Sequence, residues 1–283
     1  MNKIKEVCVV GSGTMGNGIA HSAALHNVNI TLIDIDVLQL DKAKIIISKN
    51  LDRQLKKNII SFADKENTLS RINFSSDLKD CRSAEIVIEA VPEKFKIKAK
   101  LFKDLSKLCS NKTIFASNTS SISITKLSKY VKKRENLIGM HFMNPVPIMK
   151  LVEVINTKFT SKATTQKVIG LSKSMNKSPV ECKDSPGFIS NRILMPMINE
   201  AILCLQNEIA NAEAIDKIMK LGMSHPMGPL QLADFIGLDV CLDIMNVLYD
   251  GFKDNKYKPC SLLIKMVDDG FLGKKTGYGF YKY

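Results

Sequence analysis

The chain has 283 residues, 45% hydrophobic and 24% charged, the profile of a globular protein with length for one large or two ordinary domains. No apolar run approaches the roughly 20 residues of a membrane span, and the start, Met-Asn-Lys-Ile-Lys-Glu, leads straight into a strand-like run with no signal peptide, so a cytoplasmic protein without membrane contact is expected. The net charge is +13, but only five of the 41 basic residues are arginine, the residue that phosphate and base recognition favours; nucleic acid is not an expected partner, and the charge reads either as solvated lysine faces or as steering of a small polyanion.

The seven cysteines are scattered and form no Cys-x-x-Cys, which fits reduced thiols better than a disulfide framework or a zinc site; no metal is expected. Val7 to Val10 reads as a buried parallel strand. Gly11-Ser-Gly-Thr-Met-Gly16 follows, then a helix over 14–26 and a second strand from Val28 to Ile33 ending at Asp34. Gly11 permits the tight turn, Gly13 lets the backbone approach a pyrophosphate, and Gly16 lets helix pack on strand. Thr14 and Met15 open the helix whose free N–H groups face the phosphates. Asp34 sits where a carboxylate accepts from a ribose 2′-hydroxyl and repels a 2′-phosphate. The set of strand, glycines, helix, strand and terminal acid predicts a dinucleotide, NAD in preference to NADP.

Residues 36–60 read as a long helix with Leu38, Ala43, Ile46, Ile47, Leu51 and Leu55 as its apolar side. The other side is basic, either a solvated face or a surface that meets ligand phosphates. A short helix around 64–71 and a strand at 72–74 come next. Ile86 to Ala90 is a clear strand, and Pro92 opens a helix from about Glu93 to Cys109, with Glu93 and Lys98 near the edge of the expected cofactor crevice. Thr113 to Ala116 is a strand ending in the hydroxyl-rich Ser117-Asn-Thr-Ser-Ser121. That loop serves either as a helix cap or as a ligand-binding strand end. Leu137 to Phe142 and Leu151 to Ile155 read as strands, separated by Pro145 and Pro147, which force an irregular reversal. His141 and Glu153 lie on these strands. They are either a satisfied structural pair or an imidazole whose tautomer is fixed by a carboxylate for proton transfer. A helix over 164–175 and a last strand over 179–182 close this part.

From Asp184-Ser-Pro-Gly187 onward only helices are expected: 188–206, 212–221, 230–249 and 262–269. The reading is an α/β, Rossmann-type doubly wound domain over 1–183 and a smaller all-α domain over 184–283. Asn191 and Arg192 fall near the junction, where sites form between domains. His225, in a stiff turn, reads as structural.

With these residues in place, the chain resembles the 3-hydroxyacyl-CoA dehydrogenases, especially the bacterial short-chain members. The resemblance runs through residues 11–20, 88–93, 117–121, 141–147, 150–155, 184–192, 225–230 and 274–281. It implies hydride transfer between NAD and C3 of a short-chain 3-hydroxyacyl-CoA, as in butyrate and fatty acid metabolism, with an acyl-CoA thioester as substrate and a homodimer formed by the helical domain. It assigns His141 as base and Glu153 as its orienting carboxylate. It places Ser120, Asn144 and Asn191 at the reacting centre, Asp34, Glu93 and Lys98 at the cofactor, and Asn50 and Lys57 near coenzyme A phosphates. Met143 departs from the family's usual phenylalanine, and Asn27 from its usual glycine, at the end of the first helix.

Overall fold

The computed structural model describes residues 4–283, which divide into one unit ending at Asp184 and another over Ser185–Tyr283. The first unit carries β1 (Glu6–Val10), α1 (Thr14–Leu25), β2 (Asn29–Ile33), α2 (Val37–Lys56), α3 (Phe62–Ser70), β3 (Ile72–Ser75), β4 (Ile86–Glu89), α4 (Phe95–Leu108), β5 (Ile114–Ser117), α5 (Ile124–Leu127), β6 (Leu137–Phe142), β7 (Leu151–Asn156), α6 (Lys162–Ser174) and β8 (Ser178–Lys183). One eight-stranded sheet runs in the order β3-β2-β1-β4-β5-β6-β7-β8. The first six strands in chain order are parallel to one another; β7 turns antiparallel to β6, and β8 runs parallel to β7. Residues 7–10 of β1 and 86–88 of β4 are apolar and buried, as strands covered on both faces require. Connections reverse direction between β1 and β4, so the carboxyl ends of these strands open the crevice where doubly wound sheets bind ligands.

Small residues let α1 approach the sheet. A Cβ at Gly16 would sit 1.7 Å from the Gly11 carbonyl oxygen, and one at Gly18 would sit 3.0 Å from Val146 Cβ. Asn27 takes a φ of 65° just past α1, the left-handed conformation that asparagine tolerates where the family usually has glycine. α2 buries Leu40, Ala43, Ile47 and Leu51, a stripe rotated from the one read in the sequence: Leu38 and Ile46 are exposed. It also ends at Lys56, earlier than expected, because Asn58 turns the chain with a φ of 53°. α4 starts at Phe95 rather than Glu93, with Ile97 outside and Lys98 inside. The first unit extends through Asp184, one residue past the boundary read from the sequence. The reason is local: the Asp184 carboxylate accepts from Ser123 Oγ (2.8 Å) and from the Thr125 N–H (2.7 Å) at the start of α5.

The second unit is helical: α7 (Ser190–Gln206), α8 (Ala212–Gly222), α9 (Pro229–Ile236), α10 (Leu238–Phe252) and α11 (Ser261–Asp268). Its core gathers Met195, Ile198, Ile202, Leu230, Leu238, Met245, Leu248 and Leu263. The single helix expected over 230–249 is two, because Gly237 adopts a φ of 105° that breaks the helical path. Asp216 accepts from the Leu230 and Gln231 N–H groups at 2.8 and 2.9 Å, capping α9 from a neighbouring helix. No helix among the described residues is long and apolar enough to cross a membrane.

Candidate active site

The loop after β1 has the shape of a pyrophosphate cradle. Gly11 takes a φ of 99° and packs so close to Ala90 that a Cβ would lie 2.5 Å from its carbonyl oxygen, whereas a Cβ at Gly13 would meet nothing within 4 Å. Gly13 caps α1 with no side-chain hydrogen bond, and no acid lies in the first turn that Thr14 and Met15 open. The amide groups and the positive helix end therefore suit an anion. Asp34 follows the end of β2, half-buried. One of its oxygens accepts from the Ser12 N–H (2.8 Å) and the Ser12 hydroxyl (2.9 Å), and the other from the Asp36 N–H (3.1 Å). These contacts hold the carboxylate beside the glycine loop, as a ribose acceptor must be held. The residues present fit a dinucleotide with an unphosphorylated 2′-hydroxyl.

Two buried ions organise the next wall. Glu89 ends β4 and is fully buried. It accepts from Lys98 Nζ (2.5 Å), the Val91 N–H (2.9 Å) and the Ser117 hydroxyl (2.6 Å). Lys98 is 1% exposed; its ammonium also donates to the Val91 carbonyl and lies 3.1 Å from Glu93. Lys98, expected at the cofactor, is thus engaged inside the protein, with Glu93 as its outward partner. Glu93 in turn gathers the loop after β5: one oxygen accepts from the Thr119 hydroxyl, the Ser120 and Ser121 N–H groups (3.1 Å each) and the Ser121 hydroxyl (3.0 Å). Burial pushes the Glu89 carboxyl above its ordinary range, and the Lys98 ammonium pulls it back only in part. Burial acts on Glu93 in the same sense, but there the Lys98 charge and the Thr119 hydroxyl prevail and hold it below the ordinary range.

β6 and β7 bring the third wall. Their antiparallel register sets His141 opposite Glu153, so the carboxyl end of β6 and the amino end of β7 share one edge of the sheet. His141 Nδ1 lies 2.8 Å from Glu153 Oε2, with both residues buried. A carboxylate on Nδ1 fixes the tautomer and the orientation of the ring. Asn118 ties the serine loop to this wall: its Oδ1 accepts from the Phe142 N–H (2.9 Å), and its own N–H donates to the Glu89 carbonyl (2.9 Å). Asn144 follows in the reversal, exposed, with Met143 half-buried beside it; the apolar side chain expected at 143 is accommodated.

Asn50 is half-buried on α2, with Oδ1 3.5 Å from Arg53 NH1. Lys57 is exposed at the helix's C-terminal cap rather than inside it. Seven residues separate the pair, about two helical turns, so they share a face. Asn191 lies buried in the first turn of α7, in the helical unit. The first unit therefore brings the glycine loop, Asp34, Glu93, Ser120, His141, Glu153 and Asn144 to the carboxyl-end side of its parallel strands. Ser12, Glu89 and Asn118 had no assigned role in the sequence. Glu89 left a signal: a carboxylate within an apolar strand run requires a buried counter-ion.

The family model for the 3-hydroxyacyl-CoA dehydrogenase NAD binding domain matches residues 6–185, and that for the 3-hydroxyacyl-CoA dehydrogenase C-terminal domain matches residues 187–283. The chain is 48% identical to a probable 3-hydroxybutyryl-CoA dehydrogenase of Bacillus subtilis, covering 99% of this chain and 98% of the relative. It is also 48% identical to the 3-hydroxybutyryl-CoA dehydrogenase of Clostridioides difficile, over 98% of this chain and 99% of that one. Its structure resembles the crystal structure of (S)-3-hydroxybutyryl-CoA dehydrogenase from Ralstonia eutropha, with a TM-score of 0.97, 47% identity and 99% of each chain covered.

Proposed function

The chain belongs to the 3-hydroxyacyl-CoA dehydrogenase family, and we propose that its NAD-dependent dehydrogenase activity interconverts 3-hydroxybutyryl-CoA and acetoacetyl-CoA with His141 and Glu153 as the acid/base pair. The 2.8 Å contact between His141 Nδ1 and Glu153 Oε2 carries the mechanistic part of this reading. Bound NAD supplies the hydride acceptor or, when reduced, the donor. In oxidation His141 Nε2 takes the C3 hydroxyl proton, and Glu153 stabilises the imidazolium so formed. In reduction the imidazolium returns that proton to the ketone oxygen. Ser120 and Asn191 hold the C3 oxygen or the thioester carbonyl, and Asn144 keeps cofactor and substrate aligned. The apolar side chains of Ile193, Ile218 and Leu221 are exposed on the helical unit, which favours a homodimer formed through that unit. The seven scattered cysteines fit reduced thiols, and the cytoplasm is the proposed compartment.

The direct test follows NADH absorbance with acetoacetyl-CoA, then with NADPH. Turnover is expected with NADH and much less with NADPH, because Asp34 opposes a 2′-phosphate. Asp34→Ala should narrow that preference by roughly 10- to 100-fold, the worth of about 1.5–3 kcal/mol for a hydrogen bond to a charged group. No oxidation of NADH by acetoacetyl-CoA would refute the substrate, and an unchanged NADH/NADPH ratio in the variant would refute the role of Asp34.

Charge on α2 supports the thioester over a free 3-hydroxy acid. Coenzyme A carries several phosphates, and Lys57 with the other exposed lysines of α2 forms a basic face. KM for acetoacetyl-CoA should therefore rise with added salt more steeply than KM for NADH, since exposed charges are screened over about 8–10 Å at 0.1–0.15 M. Parallel salt responses would assign the charge to solvated faces, and failure to bind a coenzyme A column would favour the free acid.

A further inference from the structure

Between His141 and Glu153 the chain reverses through residues 143–150, and that reversal is fixed by groups outside the pair. Val146 is buried against α1, where Gly18 leaves it room: a Cβ there would sit 3.0 Å from Val146 Cβ. Lys177 links α6 to β8 and is 7% exposed. Its ammonium donates to the Val146 carbonyl and, at 2.9 Å, to the Met149 carbonyl. Among the described residues no carboxylate forms an ion pair with it. Burying an ammonium without a counter-ion is costly, and here that cost satisfies two carbonyls that the double-proline reversal turns inward. A hydrocarbon side chain of the same length would leave both unsatisfied.

We propose that Lys177 is a positioning residue for the dehydrogenase reaction: by clamping the 145–149 reversal against α1, it sets where Asn144 stands and holds His141 and Glu153 at their working separation. This rests on the acid/base reading of that pair.

The pH dependence has a definite sign. Burial, with help from the Lys150 charge, pulls the Lys177 pKa down to about 8. The ionisable groups facing it are Lys150, ahead of β7, and His21 on α1; burial lowers the His21 pKa to about 4, so that ring stays neutral above it. The clamp is charged below about pH 8 and loses its charge as the pH rises through that value. Global stability moves the other way. A lysine whose folded pKa lies below its unfolded value costs stability while charged, so between about 8 and 10.4 its contribution to stability rises with pH. A loss of activity in that window is therefore not a loss of fold.

Lys177→Met should lower kcat roughly 10- to 100-fold, the scale of misplacing reacting groups by up to about an ångström. In the oxidative direction wild-type kcat should fall above about pH 8 while the thermal midpoint does not. Lys177→Arg, whose guanidinium stays charged to above pH ~12, should keep its plateau to higher pH. Wild-type kcat in Lys177→Met, or an alkaline limb in Lys177→Arg that coincides with wild type, overturns the proposal; the arginine variant decides it alone if the methionine variant does not fold. Turnover retained in His141→Ala would instead sink the acid/base reading.

Discussion

His141→Ala is expected to lower kcat by about 10²–10⁴-fold, the usual worth of a positioned acid/base group, while KM for NADH changes little. The reason lies in the register. His141 and Glu153 face each other across β6 and β7, and their contact is buried, so removing the imidazole removes the proton acceptor without touching the glycine loop or Asp34. Glu153→Gln should fall in the same direction by a smaller factor: a neutral amide can still accept from Nδ1–H but no longer stabilises the imidazolium. A double variant should be scarcely worse than His141→Ala, because the two residues act as one unit. Steady-state kinetics in both directions, with NADH binding followed by fluorescence, checks all three. If either single variant kept near wild-type turnover, the pair would be a structural one. If NADH affinity collapsed together with kcat, the loss would belong to the cofactor site.

Lys98→Met should produce the largest loss of stability. The ammonium lies 2.5 Å from Glu89 and 3.1 Å from Glu93, and Glu89 is fully buried. Removing one partner of a buried ion pair leaves an uncompensated charge and costs about 3–5 kcal/mol. For a unit of this size that is a fall in Tm of roughly 6–20 °C. The pair itself is a different matter: Glu89→Gln combined with Lys98→Met removes both charges and should recover much of the loss, since replacing both partners is often close to neutral. The pH trend follows from the shifts. Glu89 is held above its ordinary range, so it protonates readily once its counter-ion is gone, and the penalty in Lys98→Met should shrink as the pH falls. Glu93 is held below its range, so the stability it contributes in wild type is present at neutral pH and disappears as the pH drops through its folded-state value. Thermal melts at neutral and mildly acidic pH read both effects. A Lys98→Met variant as stable as wild type would mean that the ammonium is not needed inside.

The kinetic consequence of the same change separates two roles for Lys98. If it acts through Glu93, its loss frees the loop that carries Ser120, and kcat falls along with stability. A role in direct cofactor contact would raise KM for NADH instead. The inward position of Lys98 and the five donors gathered by Glu93, counting the more distant Ser120 hydroxyl at 3.5 Å, favour the first.

Local chemistry was legible in the sequence wherever it is dictated by backbone constraint. Gly11, Gly13 and Gly16 announce a turn, an open face and a close packing, and each has that environment in the fold. Asp34 was placed by its distance along one β-α-β unit. The strand runs of β1, β4 and β6 were legible because burial on both faces demands unbroken apolar residues. Helix faces were less secure. A 3.6-residue period with apolar residues on more than one side of α2 does not say which stripe meets the sheet, and Leu38 and Ile46 turned outward. The break at Gly237 was hidden because a glycine within a helical pattern is compatible with continuity.

The sequence by itself determined the nucleotide-binding unit and the helical character of the rest. Those follow from hydrophobic period, glycine placement and short-range motifs, all of which act within a few tens of residues. Only the tertiary structure decided that His141 and Glu153 stand opposite each other, that Lys98 points inward to Glu89, and that Lys177 donates to two carbonyls of the reversal between β6 and β7. Each of these is a long-range pairing of polar groups inside the protein. What fixes them is the requirement that every buried charge and inward carbonyl find a partner, and partners that meet across a sheet leave no periodic trace along the chain.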